Sequence, residues 1–168
     1  MAKICEIAFG GGCHWCTEAI FQALKGVANV KQGFVASEGE AKTFSEAVVV
    51  EYYYNEIAME DLILIHLHTH NATSSHSMRK KYRSAIYTYN LADAERATNA
   101  LQSFQINFDG KLITKVLPFV AFKSSDPMFH NYYLKDKEKP FCQLYISPKL
   151  SLLREKFAKF MDSDRLTD

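Results

Sequence analysis

Four cysteines in 168 residues (Cys5, Cys13, Cys16 and Cys142) are too few for a disulfide scaffold. Charge of one sign is missing as well. Twenty Lys and Arg stand against nineteen Asp and Glu, a net charge of +1, without the basic excess of a dedicated nucleic-acid binder. No apolar run approaches the roughly 20 residues of a membrane span. Met1 to Glu6 leads straight into strand-like sequence, without the long apolar core of a signal peptide. Repeats, low-complexity segments and a linker are absent too. The expectation is a cytoplasmic protein, one domain over residues 1–168, with its thiols reduced at rest.

What is present is a globular balance of 48% hydrophobic and 23% charged residues. Ile4 to Phe9 reads as a buried strand closed by Gly10-Gly11-Gly12. A helix follows, with Cys16, Ile20, Ala23 and Leu24 on one face, and Gly26 ends it. Residues 27–36 are extended and 37–42 a loop. Residues 46–54, with three valines and then three tyrosines, form the strongest predicted strand. Residues 59–67 read as a helix, although their Leu/Ile alternation also suits a strand. A loop over 71–81 and a strand over 82–89 follow. Asn90 caps a helix whose apolar repeat is Leu91, Ala94, Thr98, Leu101 and Phe104. Asp109-Gly110 turns into a strand over 112–117, which Pro118 disrupts. An irregular tail then runs until Ser147 or Pro148 opens a last helix through Phe160. The order β-α-β-β-α-β-α-β predicts an α+β fold: a two-layer α/β plait with a ferredoxin-like core and helices on one face of a mixed sheet.

The chemistry concentrates in Phe9-Gly10-Gly11-Gly12-Cys13-His14-Trp15-Cys16-Thr17-Glu18. Glycines let the chain turn sharply and leave room for a ligand beside the main chain. The helix start offers free N–H groups and a positive dipole end, so Cys13 should ionise readily and stay accessible. Cys16 lies one turn on. Cys5 alternates with Ile7 and Phe9 and is expected in the core; Cys142 sits in the tail, where a mobile thiol could partner Cys13. Zinc is the competing chemistry, because His66, His68 and His70 alternate and the CxxC could add two thiolates. A second CxxC is absent, however, and the histidines read better as polar residues at an element's exposed end. No metal and no cofactor is expected.

Gly11-Gly12-Cys13-His14-Trp15-Cys16-Thr17-Glu18-Ala19 resembles the GGCFWCTEA signature of the methionine sulfoxide reductase A family. Leu24-Lys25-Gly26-Val27, Ser45-Glu46-Ala47-Val48 and Tyr82-Arg83-Ser84-Ala85-Ile86-Tyr87 resemble further segments of it. So do His130-Asn131-Tyr132-Tyr133-Leu134, Pro140-Phe141-Cys142-Gln143 and Pro148-Lys149-Leu150. The resemblance implies a repair enzyme that reduces the S epimer of methionine sulfoxide, protein-bound or free, and is itself reduced by thioredoxin or another dithiol. It implies Cys13 as nucleophile, Glu46 as acid, Tyr82 as hydrogen-bond donor and Trp15 in a pocket for the substrate methyl group, with His14 and His130 as further substrate contacts. Cys16 is expected to resolve the Cys13 sulfenic acid, with Cys142 the alternative. A monomer is expected.

These roles have a chemical logic. A sulfoxide sulfur is a poor electrophile, so a thiolate must attack while an acid protonates the departing oxygen. Beside an apolar strand, Glu46 is expected to have its acidic form favoured by desolvation. Departures from the family pattern lie close by. His14 stands where phenylalanine is usual, and the loop between Phe34 and Ser45 is shortened, losing a second tyrosine. Residues 74–81 are also a shorter loop and lack the family's aspartate; Ser77 falls at that place. The expectation is a slower or altered enzyme. Its rivals are a drifted homologue that binds oxidised methionine or a partner and, third, a zinc protein.

Overall fold

Strands β1 (Ile4–Gly10) and β3 (Ser45–Tyr53) lie side by side, antiparallel, from Ile4 opposite Tyr53 to Gly10 opposite Ala47. Successive side chains point to opposite faces, so the valine run divides. Val48 and Val50 join Ile7 and Phe9 in the larger core, while Val49 joins Ala8 and Ala47 in a smaller one. The computed structural model describes residues 3–162. The remaining elements are α1 (His14–Gln22), β2 (Val27–Ala36), α2 (Met59–Thr69), β4 (Ala85–Thr88), α3 (Leu91–Phe104), β5 (Lys115–Pro118), β6 (Ala121–Ser124), α4 (Tyr132–Lys135) and α5 (Ser147–Phe157). Among the described residues no helix is long and apolar enough to cross a membrane.

The six strands run in the order β5-β4-β1-β3-β2-β6, with β4 and β5 parallel and every other pair antiparallel. Consecutive strands β5 and β6 therefore occupy opposite edges although two residues separate them. The sheet must curl until its edges approach. Phe119 N–H donates to Thr88 O and Val120 N–H to Ala36 O, so the connecting residues bridge the gap. Phe119 and Phe122 cover the smaller core, and helices cover the larger one. The α+β plait with a mixed sheet is thus as expected.

Four local readings need correction. The strand expected over 82–89 covers Ala85–Thr88, because Arg83 N–H is taken by the Ser45 hydroxyl before pairing begins. The strand expected over 112–117 covers Lys115–Pro118, where Pro118 is tolerated at the end of an edge strand. Helix α3 buries Ala97 and Ala100 and leaves Leu91 and Thr98 exposed, so its inward stripe is turned from the expected one. The tail, expected to be irregular, also contains β6, α4 and a π-helical turn over Cys142–Ile146. The ambiguous segment at residue 59 is helical; it buries Leu62, Ile63, Ile65, His66 and Leu67 around a broad arc. Helix α5 runs to Phe157 and tightens into a 3-10 turn over Ala158–Phe160.

Gly33 is where β6 comes closest to β2. A Cβ there would lie 2.2 Å from Lys123 O and 2.8 Å from the Phe122 ring. Gly33→Ala should force β6 away and destabilise the protein by about 2–3 kcal/mol, the usual scale of overpacking. Urea denaturation of the variant measures this, and an unchanged midpoint would contradict the close pairing.

Candidate active site

The end of β1 is fixed from below. His66 Nε2–H donates to Gly10 O at 2.8 Å, and Arg79 Nη1 donates to Gly11 O at 2.7 Å. Gly11 has φ +149°, and a Cβ there would strike the His70 ring at 2.5 Å; both facts require glycine. Gly12 faces open space. The chain then delivers Cys13 as the N-cap of α1, its carbonyl accepting from Cys16 and Thr17 N–H. Its thiol is held below the ordinary value, first by the Cys16 thiol that donates to it, then by the N–H groups of Trp15 and Cys16. Burial and the nearby Glu46 oppose this. The same contact, with burial, pushes the Cys16 thiol far up. Within the pair, Cys13 is thus favoured as the thiolate and Cys16 as the thiol that donates to it.

Glu46 enters from β3 and is 7% exposed. Its Oε1 accepts the His14 backbone N–H at 3.2 Å and lies 3.5 Å from His14 Nε2, while Oε2 lies 3.7 Å from Lys81 Nζ. Lys81 also hydrogen-bonds the Tyr82 side chain, with its ammonium 5.1 Å from that ring's centre; the bond to Tyr82, and then Glu46, hold it above its ordinary value. Cys13, His14 and Glu46 thus come together, and Lys81, without any sequence signal, links Tyr82 to them. The His14 ring also contacts Phe34 edge-on at 5.2 Å.

Trp15 belongs to an aromatic group that lies within electrostatic range of Cys13 through Tyr132. Tyr132 stacks on it at 4.2 Å, Phe129 at 5.2 Å, and Phe141 meets it edge-on at 5.1 Å. Glu18 secures this wall. It is buried, and its two oxygens accept the backbone N–H groups of Asn131 and Tyr132 and the Gln32 amide. A lone carboxylate in the buried run of α1 is the signal that could have found it. His130 bonds Ser124 at 3.2 Å and lies within electrostatic range of His14. Cys5 is partly buried against the larger core. Cys142 is not a mobile tail thiol, because the π-helical turn buries it completely in that core. Lys149, a half-buried cation, donates to Thr69 O at the end of α2 and lies within electrostatic range of Cys16 and Cys13.

The three alternating histidines are not an exposed end of an element. His66 is buried, and its ring stacks on His70 at 4.1 Å. His70 Nδ1–H donates to His66 O, and its Nε2 accepts from the Ser84 hydroxyl, which is followed by Thr114. His68 points elsewhere and stacks on Phe108. Among the described residues no group of three His, Cys, Asp or Glu side chains could hold a metal ion.

Comparison with known proteins places this arrangement. The profile of the Peptide methionine sulfoxide reductase family matches residues 5–161. The chain belongs to the peptide methionine sulfoxide reductase family. It is 30% identical over 166 residues to the peptide methionine sulfoxide reductase MsrA of Pasteurella multocida, with 90% of this chain and 95% of that one covered. Among solved structures, Mxr1 of Saccharomyces cerevisiae in reduced form superposes with a TM-score of 0.73 at 21% identity, covering 83% of this chain and 90% of that one. Mxr1 in complex with Trx2 superposes with a TM-score of 0.63 at 21% identity, covering 74% and 82%. At such identities the structural likeness establishes the shared fold. The family's glycine-cysteine turn is the one that His66, His70 and Arg79 support here.

Burial keeps His66 and His70 neutral and holds His70 down to about 4. Both folded values lie below the unfolded value of about 6.5, so the unfolded chain takes up protons first. Stability should be full above pH 6.5 and fall as pH drops toward 4, by about 1.4 kcal/mol per pH unit for each histidine. Urea midpoints between pH 7.5 and 5 measure it; a flat profile would refute the neutral pair.

Proposed function

We propose that residues 1–168 form one catalytic domain that reduces the S epimer of methionine sulfoxide to methionine, with Cys13 as nucleophile, Glu46 as acid and Tyr82 as hydrogen-bond donor to the sulfoxide oxygen. The observation that carries this is the Cys13 thiol on the N-terminus of α1, favoured as thiolate and facing a buried carboxyl group. In the first step the Cys13 thiolate, the sulfoxide and one proton give the Cys13 sulfenic acid and the thioether. The cysteine sulfur loses the two electrons that the sulfoxide sulfur gains, and the oxygen moves between them. Glu46 supplies the proton as the sulfur–oxygen bond breaks. The aromatic group of Trp15, Tyr132 and Phe129 offers an apolar wall for the substrate methyl group. His130, within electrostatic range of His14, is a further candidate for substrate contact.

Cys16 is the resolving thiol in this reading. It already donates to Cys13, whereas Cys142 is enclosed in the core. The Cys13 sulfenic acid and the Cys16 thiol then give a disulfide and water, and an external dithiol returns both to thiols while becoming a disulfide itself. The Mxr1 complex with Trx2 supports thioredoxin as that dithiol. We read the protein as a cytoplasmic monomer.

Dithiothreitol-driven reduction of each sulfoxide epimer tests the activity. Methionine should form from the S epimer, and Cys13→Ser should abolish it while the fold persists. Glu46→Gln should lower kcat by about 10²-fold or more, the scale of general acid catalysis. No methionine from either epimer would overturn the reductase and favour the drifted binder. For the resolving step, peptide mapping of protein quenched after one turnover without reductant should recover a Cys13–Cys16 bridge; a Cys13–Cys142 bridge would reassign it.

A further inference from the structure

His14 Nδ1 lies 2.7 Å from Gly33 O. A carbonyl can only accept, so Nδ1 carries a hydrogen. In a neutral imidazole the other nitrogen, Nε2, is then a bare acceptor, and it faces Glu46 Oε1 at 3.5 Å. Two acceptors would repel each other there. The contact is favourable when one proton belongs to the two groups together, on the carboxyl with a neutral ring or on the ring with a carboxylate. The backbone fixes this encounter, because His14 N–H binds the same Oε1 and β2 holds the ring through Gly33. His14 is buried, and burial resists a lone imidazolium.

We infer that His14 and Glu46 hold a single proton as a pair and that His14 is a positioning residue, which keeps that proton available for Glu46 to give to the sulfoxide oxygen. The inference rests on the reductase reading and deepens it. Each turnover consumes one proton at the first step, and the pair stores one. Solvent returns it along the Glu46 Oε2 side, where the Lys81 side chain is 59% exposed. The charged and titratable groups facing His14 are Glu46 from β3, Lys81 from the loop before β4, His130 from the segment after β6, and Cys13 beside it. Lys81 sits at the opposite oxygen and can only donate, so His14 Nε2 is the group in this contact that can share the carboxyl's proton. This gives the position usually held by phenylalanine a chemical use, in a site where a tyrosine and an aspartate have gone.

Two variants separate the proton from the packing. His14→Gln can still donate to Gly33 O but holds no titratable proton, and His14→Phe fills the space with neither. In the full-length protein, with the S epimer and dithiothreitol, both should lower kcat at pH 8 by about tenfold, a modest share of a general acid's contribution. KM should stay within about threefold, and the alkaline limb of kcat should move down by about one pH unit. An alkaline limb that stays in place with kcat within twofold would overturn the inference. Nitrogen-15 shifts of the His14 ring in the reduced wild type give a readout besides activity. Nε2 should titrate in a step that shifts by about one pH unit or more in Glu46→Gln; a step indifferent to Glu46 would refute the shared proton, even if His14→Phe fails to fold. Should the wild type reduce neither epimer, the reductase reading fails and the nitrogen shifts still decide the pair.

Discussion

The carbonyl oxygens of Gly10 and Gly11 turn inward at the end of β1, where each must find a donor. His66 supplies one and Arg79 the other. Once both are bound, the chain has one way to continue: over the His70 ring, through Gly12 and into α1. That path sets the axis of the helix and puts Cys13 at its positive end. Cys16 then follows one turn below, where its thiol can reach Cys13. The Cys16 thiol acts on Cys13 most and the N–H groups of α1 after it, and the direction of the backbone brings both within reach. A substitution at His66 or Arg79 acts on the thiol without touching it.

Glu18 does the corresponding work for the opposite wall. A buried carboxylate is costly unless its oxygens are filled, and here two backbone N–H groups and an amide fill them. Because those N–H groups belong to Asn131 and Tyr132, the cost of burying the charge is offset by docking a distant segment against α1. Asn131 adopts left-handed backbone (φ 56°) at that junction, so Tyr132 turns onto Trp15. Gln32 extends the tie to Phe129 and Ser125. One carboxylate thereby positions both rings that stack on the indole.

Features visible in the sequence were those whose physics is local. A strand, three glycines and a CxxC helix start are adjacent in the chain, and Asn90 caps α3 through its neighbour Asp93, so short-range rules were enough. β6 was missed because four residues become a strand through pairing with β2, some ninety residues away, and Gly33 makes room for it. The histidines differ from the expectation because helix α2 is buried around a wide arc, and the partners of His66 and His70, two backbone carbonyls and the Ser84 hydroxyl, are announced by no residue pattern. Cys142 was misplaced for the same reason: its burial depends on the π-helical turn that precedes α5. Arg79 left no trace at all, since each of its hydrogen bonds ends on main chain.

That last residue explains how the loop over 74–81 keeps its place. Arg79 donates to the carbonyls of Ser74, Gly11, Tyr82 and Asn71, joining both ends of the loop to the glycine turn. A guanidinium with five fixed donors suits this task, and a lysine would not replace it. The loop needs little length when one side chain satisfies so much of its backbone. Its last residues are then delivered to β3, where Lys81 O accepts from Glu46 N–H and the Ser45 hydroxyl. The loop thus brings a lysine to the carboxyl. With His14 on the other oxygen, Glu46 sits between a permanent cation and a titratable ring. The two oxygens thus meet neighbours of different kinds, and both neighbours are placed by backbone contacts, His14 through Gly33 and Lys81 through the end of the loop.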